Sequence, residues 1–99
     1  MAVSDLNISN KEELLFPVDS ELPTIVEQLT VCNVGNTPIT LSFFKLFREF
    51  SDVRYYVIRS ILVDISETFV LEDLRIDINQ EFYIGVSGGS CSVTTAYFK

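Results

Sequence analysis

Short runs in which apolar and polar residues alternate, each closed by turn residues, recur along this chain. That pattern leaves room for little but antiparallel β structure. LRIDIN alternates strictly, which predicts Leu74, Ile76 and Ile78 on one face and Arg75, Asp77 and Asn79 on the other. EFYIGV does the same with Phe82, Ile84 and Val86, and the closing CSVTTAYF with Cys91, Val93, Thr95 and Tyr97. TIVEQLTVCNV is expected to set Ile25, Leu29 and Val31 against Gln28, Thr30 and Cys32. ITLSFFKLF sets Ile39, Leu41 and Phe43 against Thr40, Ser42 and Phe44. Because side chains of a strand alternate faces, each of these sets reads as a half-buried strand.

The connections carry turn chemistry. VGNTP, with Gly35, Asn36 and Pro38, predicts a hairpin between the two segments it joins. Ser87-Gly88-Gly89-Ser90 also reads as a hairpin turn. It lacks the spacing of a phosphate-cradling loop and precedes a strand pattern, not a helix. REFSDVR is a polar connection, and YYVIRSILVDI is one long strand or two short ones kinked at Ser60. SETFVLED adds the apolar pair Phe69 and Leu71. Pro17 and Pro23, which cannot donate to a sheet ladder, bracket VDSEL, with a short edge strand expected from Leu14 to Phe16.

Residues 1–12 are polar and aperiodic, which predicts a flexible arm ahead of a domain at 13–99. SNKEELLF and SFFKLFREF also fit a helical spacing, but Thr40, Leu41 and Phe43 continue the strand alternation. No segment of helix-crossover length separates the strands. The expected fold is all-β: a single β-sandwich or jelly-roll-like domain of about seven or eight short antiparallel strands. Its core is expected to hold Leu29, Val31, Leu41, Ile76, Ile84 and Val93.

Ninety-nine residues make one domain. Hydrophobic residues form 47% of it, with eight Phe and four Tyr. A domain this small buries a limited share of its surface, so apolar area is expected outside the fold, where it marks partner surfaces. Net charge is −7, from seven basic and fourteen acidic side chains. Such an excess of acid suits neither a phosphate backbone nor an anionic membrane, and it keeps a sticky surface soluble. The opening MAVSDLNISNKEELL lacks a basic stretch followed by an apolar one, so no signal peptide is expected and synthesis in the cytoplasm is. No apolar run approaches the roughly 20 residues of a membrane-spanning helix.

Catalytic chemistry finds little footing. Without histidine, no Ser-His-Asp or Cys-His nucleophile can be built within the chain. Cys32 and Cys91 lack the paired spacing of a zinc site and are too few for a disulfide scaffold. Their separation of 59 residues matches an immunoglobulin disulfide, but no Trp lies between them and Gly89 stands where that fold has Tyr. Both are expected to be reduced, unpaired fillers. Glu67, Glu72, Asp73, Asp77 and Glu81 are spread along strands instead of converging in one loop, so they read as a solvated face and not a calcium site. No enzyme, metal or cofactor is expected.

Charge is blocked along the chain. Residues 1–30 carry six acids and one base, and residues 60–81 six acids and Arg75. Between them lie Lys45, Arg48, Arg54 and Arg59 against Glu49 and Asp52. This bipolar pattern suits contact with a neighbour, or else neutralises itself inside the fold. The interface candidates are Lys45, Arg48, Arg54, Tyr55, Tyr56 and Arg59.

The stretches ELLFPVDSE, LTVCNVGNTPITLSFF, YYVIRSILVDISETFVLEDLRI and CSVTTAYF together resemble small virion proteins of tailed bacteriophages. The match falls on Phe16 and Pro17, Val31 to Asn36, Tyr55 to Ile58, Ile65 to Leu71 and Phe82 to Val86. The chain departs from the pattern at Asp64 to Glu67, where those proteins often carry proline and glycine, and at Gln80-Glu81, where they often carry Gly-Asp. The resemblance implies a β-sandwich used as a virion accessory part, without catalysis or cofactor. The expected role is a capsid decoration or cement subunit, homo-oligomeric and bound to the major capsid protein. A tail, neck or fibre-attachment component is the alternative. A host-surface or glycan-binding module is the second, with Tyr55, Tyr56 and Tyr83 as stacking candidates.

Overall fold

A computed structural model describes residues 2–19, 21–47 and 50–99, with side chains at all of these except 50–52. Eight strands follow in order: β1 (Ala2–Ser9), β2 (Glu12–Phe16), β3 (Thr24–Asn33), β4 (Ile39–Phe47), β5 (Phe50–Val63), β6 (Thr68–Ile76), β7 (Gln80–Ser87) and β8 (Ser90–Phe98). They form two antiparallel four-stranded sheets, ordered β1-β8-β3-β6 and β2-β7-β4-β5. Six of the seven connections pass from one sheet to the other, and only β4 and β5 are joined as a hairpin within a sheet. This is a β-sandwich, as the alternation predicted, with the strand order of a jelly roll. The molecule measures 41 × 31 × 17 Å, and the thin dimension is that of two stacked sheets.

The core lies between the sheets and draws on every strand. Leu29, Val31, Leu41, Ile76, Ile84 and Val93 are all buried, as expected. Phe43 stacks between Phe69 and Phe82, at 5.8 Å and 5.9 Å between ring centroids, and so ties β4 to both sheets. Phe16 adds an edge contact to Tyr97 at 4.9 Å.

Several local expectations are corrected. The segments around VGNTP do not pair with each other, because β3 and β4 lie in different sheets. Ser87–Ser90 is likewise a sheet-crossing corner, not a hairpin turn. Turn chemistry shows where the chain bends but not which strand it then joins. Of the expected arm at 1–12, residues 2–9 form a paired strand, with β1 on β8 from Ala2↔Tyr97 to Ser9↔Ser90, and β2 starts at Glu12; residue 1 lies outside the described residues. Only Leu6 and Ile8 face the core from β1, too short an apolar series to show as a period. Ile25 is exposed and Val26 buried, because a register shift between Val26 and Gln28 turns the strand over. Ile78 is exposed because β6 ends at Ile76. Most of REFSDVR belongs to β5, which runs unbroken through Ser60.

The crossings at one end of the sandwich lock together. Asn33 is buried, and its Nδ2 donates to the carbonyls of Thr37 (2.9 Å) and Val63 (3.1 Å). Its Oδ1 accepts from the Gly35 N–H at 3.0 Å. Gly88, with φ of 94°, takes a conformation that other residues resist, and a Cβ there would meet the Pro38 carbonyl at 2.9 Å. The Gly88 N–H donates to Asn10 Oδ1 at 2.8 Å, and its carbonyl accepts from the Thr37 hydroxyl at 2.5 Å. The residues of CNVGNTP therefore serve the fold itself.

Candidate interaction surface

Strand alternation decides which side chains can form a surface. On β4, Phe43 faces the core, so Phe44 faces outward from the β2-β7-β4-β5 sheet. It is nevertheless only 2% exposed, and its neighbours explain why. Its cross-strand partners are Tyr83 of β7 and Tyr56 of β5. The Tyr83 ring stacks on it at 5.2 Å with the planes 3° apart, and Tyr56 tilts against it at 5.6 Å. Arg54 lies above, its guanidinium carbon 4.4 Å from the ring centroid.

Arg54 also forms a two-point ion pair with Glu12 of β2: Nη2 donates to Oε1 at 2.8 Å and Nη1 to Oε2. The paired carboxylate, and secondarily Tyr56, holds the guanidinium pKa above its ordinary value. Partial burial, with Glu81 nearby, raises the Tyr83 phenol. The outer face of this sheet is thus a second, smaller packed layer of aromatics under a charged clip.

The interface candidates do not all gather there. Arg54 and Tyr56 do, and Arg59 lies over the Tyr56 ring at 5.5 Å. Lys45 is paired in register with the buried Phe82, which puts it on the opposite face, and its ammonium donates to the Arg75 carbonyl at 2.8 Å. Tyr55, paired with Lys45, shares that face and packs edge-on against Phe47 at 5.0 Å. Arg48 lies outside the described residues. The basic block is thus split between two faces, and Arg54 is neutralised by an acid from the first acidic stretch. Glu12 was missed as a surface residue, since only the strand order brings β2 into the same sheet as β5. Phe44 was read as an ordinary outward position, and no pattern in the sequence marks it as covered.

A second feature is the free edge. Among the described residues β5 ends its sheet, so one row of its backbone N–H and C=O groups has no strand beside it there. Along it and just beyond it, Val53 (42%), Tyr55 (47%), Leu62 (68%) and Ile65 (47%) are exposed. Register shifts at three places in the β4–β5 pairing bend this edge.

Two hollows mark the outer faces. One of about 390 Å³ is lined by Glu27, Gln28, Glu72, Asp73 and Ala96 on the β1-β8-β3-β6 sheet. The other, of about 210 Å³, lies on the β2-β7-β4-β5 sheet beside Tyr56.

No family model and no curated protein matches this sequence. The fold does have counterparts among solved structures. The crystal structure of PirA superposes with a TM-score of 0.62 at 12% identity, covering 97% of this chain and 93% of that one. A chain of the T13 particle of infectious bursal disease virus superposes with a TM-score of 0.52 at 14% identity. That match covers 94% of this chain but 30% of the viral one, so this chain spans under a third of its length. The likeness is one of fold: a virus particle contains a domain built on this plan.

Proposed function

We infer that the chain is a structural subunit of a virus particle, joined to its neighbours by side-chain contact. The observation that carries this reading is the set of exposed apolar side chains along β5, Val53 and Tyr55 toward one end and Leu62 on the other face toward the other end, on the edge strand of a jelly roll. Apolar area of this kind is covered in working proteins. The fold shared with a chain of a viral particle supports the setting.

The resemblance to tailed-bacteriophage proteins narrows it to a capsid decoration or cement subunit, made in the host cytoplasm and carried on the virion. Its role is non-catalytic, and its partners are the major capsid protein and copies of itself, not nucleic acid or membrane. The bends in β5 favour contact through side chains over the addition of a continuous strand.

The test uses assembled heads lacking the protein. Wild-type protein is expected to co-sediment saturably at a fixed copy number, and Leu62→Asp or Tyr55→Asp to lose attachment while keeping the β-type circular dichroism spectrum. Binding to tails or necks instead of heads would move the role to the tail alternative. Protein that ignores both would sink the reading.

A further inference from the structure

We propose that the hollow beside Tyr56, on the outer face of the β2-β7-β4-β5 sheet, binds a neutral hexopyranose ring. The proposal stands apart from the assembly reading, which uses the β5 edge. The hollow is lined by Glu12, Thr40, Ser42, Tyr56, Gly85, Val86 and Ser87. A sugar ring presents hydroxyls around its rim and a face of C–H groups. A site for it therefore needs donors and acceptors together, an aromatic wall and little net charge.

This hollow supplies each. Tyr56, 42% exposed, is the wall. The Thr40 and Ser87 hydroxyls make no hydrogen bond among the described residues, so both can donate and accept. Ser42 donates its proton to the Arg59 carbonyl, which leaves its oxygen as an acceptor. Both oxygens of Glu12 accept from Arg54, which fixes the carboxylate and neutralises it. Each oxygen keeps a lone pair for a sugar hydroxyl.

Gly85 gives the second line of argument. It sits in the middle of β7, opposite Glu12 on one side and Ser42 on the other. Glycine within a strand weakens it, and often marks a place where a ligand approaches the backbone. No conformational need explains it, because its φ is not among the positive ones. Nor does crowding, since a Cβ there would lie 3.7 Å from Glu12 Cγ and 3.8 Å from Ser42 Cβ, which is ordinary contact. The missing side chain leaves the floor of the hollow open.

The volume, about 210 Å³, lies below the ~300–1,000 Å³ of pockets for drug-sized ligands, so it fits a single ring. The larger hollow on the opposite face is unsuited, because Glu27, Glu72 and Asp73 crowd carboxylates there without an aromatic wall. Arg59 lies over the Tyr56 ring at 5.5 Å and makes no ion pair among the described residues, so binding requires it to leave that face when a sugar stacks there. Binding through so open a site is weak, with a Kd on the order of 1 mM.

The test is a titration of the whole chain with methyl glycosides of glucose, galactose and mannose, followed by backbone amide NMR. Shifts are expected at Thr40, Ser42, Gly85 and Ser87. Thr40→Val, Tyr56→Ala and Gly85→Val should each weaken binding by about tenfold or more, a change of about 1.4 kcal/mol. Gly85→Ala should fall between Gly85→Val and wild type. Arg59→Ala should leave binding unchanged or tighten it. Should Gly85→Val not fold, Thr40→Val and Tyr56→Ala decide the matter. The ring offered on a bacterial polysaccharide or on a glycoprotein N-glycan is separated by immobilising each. Retention on either that is lost in Tyr56→Ala supports the site. The proposal is overturned by an absence of shifts with every glycoside, by binding indifferent to these variants, or by binding that needs Arg59.

Discussion

Arg54 and Glu12 stand on the two opposite edge strands of one sheet, yet their side chains meet in a two-point ion pair above the ring of Phe44. With neighbouring strands about 4.8 Å apart, the clip spans about 14 Å of sheet. It closes over Phe44, which among the described residues is the one large apolar side chain that faces outward and is still buried.

Both partners of that clip are close to half exposed, 42% and 47%, so solvent screens the pair. A double-mutant cycle of Arg54→Ala and Glu12→Gln, read by urea unfolding, is expected to give a coupling of about 0.2–1 kcal/mol. It should shrink as salt is raised. Arg54→Lys should not restore it, since an ammonium lacks the planar fork. A coupling of zero at low salt would show that the pair does not form.

Removal of residues 2–9 is expected to destabilise the domain, as the loss of a dispensable arm would not. Those residues are the strand beside β8. Ile8, 1% exposed, would leave a gap in the core of the kind that costs about 2–5 kcal/mol. The check is the urea midpoint, together with faster hydrogen exchange along β8. An unchanged midpoint would mean that β1 does not pair in solution.

The fold class was legible because six core positions sat on strands with clean alternation. It failed where long-range pairing decides. Nothing local in Leu6 and Ile8 announces that β1 lies beside a strand more than eighty residues away. The bulge near Glu27 that turns Val26 inward breaks the period it would be recognised by. The outer aromatic layer is a product of strand order: Glu12, Phe44, Arg54 and Tyr83 come from four strands and meet only once β2-β7-β4-β5 is known. Tyr55 and Tyr56, adjacent in sequence, went to opposite faces because β structure separates neighbours.

Acid should weaken the domain in part through Asp19. Its carboxyl accepts from Lys99 Nζ at 2.8 Å and from the N–H groups of Leu22 (3.0 Å) and Glu21 (2.9 Å). Lys99 first, then those N–H groups, hold its pKa well below the usual carboxylate range. A folded value below the unfolded one gives stability that is present above the unfolded pKa and lost as pH falls through the folded one. The stability gap between wild type and Asp19→Asn is therefore expected to be constant above about pH 5 and to narrow below about pH 4. A gap that widens in acid would contradict this arrangement.

The two cysteines are expected to differ sharply in reactivity and never to pair within the chain. They stand on adjacent strands, since Cys32 lies opposite Ser92 and Asn33 opposite Cys91. Adjacent positions of a strand point to opposite faces, so Cys91 turns into the core while Cys32 turns out, 3.1 Å from the Thr68 hydroxyl. Both are free. Burial pushes the Cys91 thiol up to about 11, which leaves almost no thiolate at neutral pH and no path for a reagent to reach it. Alkylation of native protein, followed by mass spectrometry, should label Cys32 first and Cys91 only as fast as the fold opens. The Cys91 rate then reports stability. Leu41→Ala, which empties a fully buried position, should cost about 2–5 kcal/mol, and where opening and closing are fast relative to labelling it should speed Cys91 about 30-fold or more while leaving Cys32 unchanged. Equal labelling of the two thiols in wild type, or an internal disulfide after mild oxidation, would show that β3 and β8 are not arranged in this register.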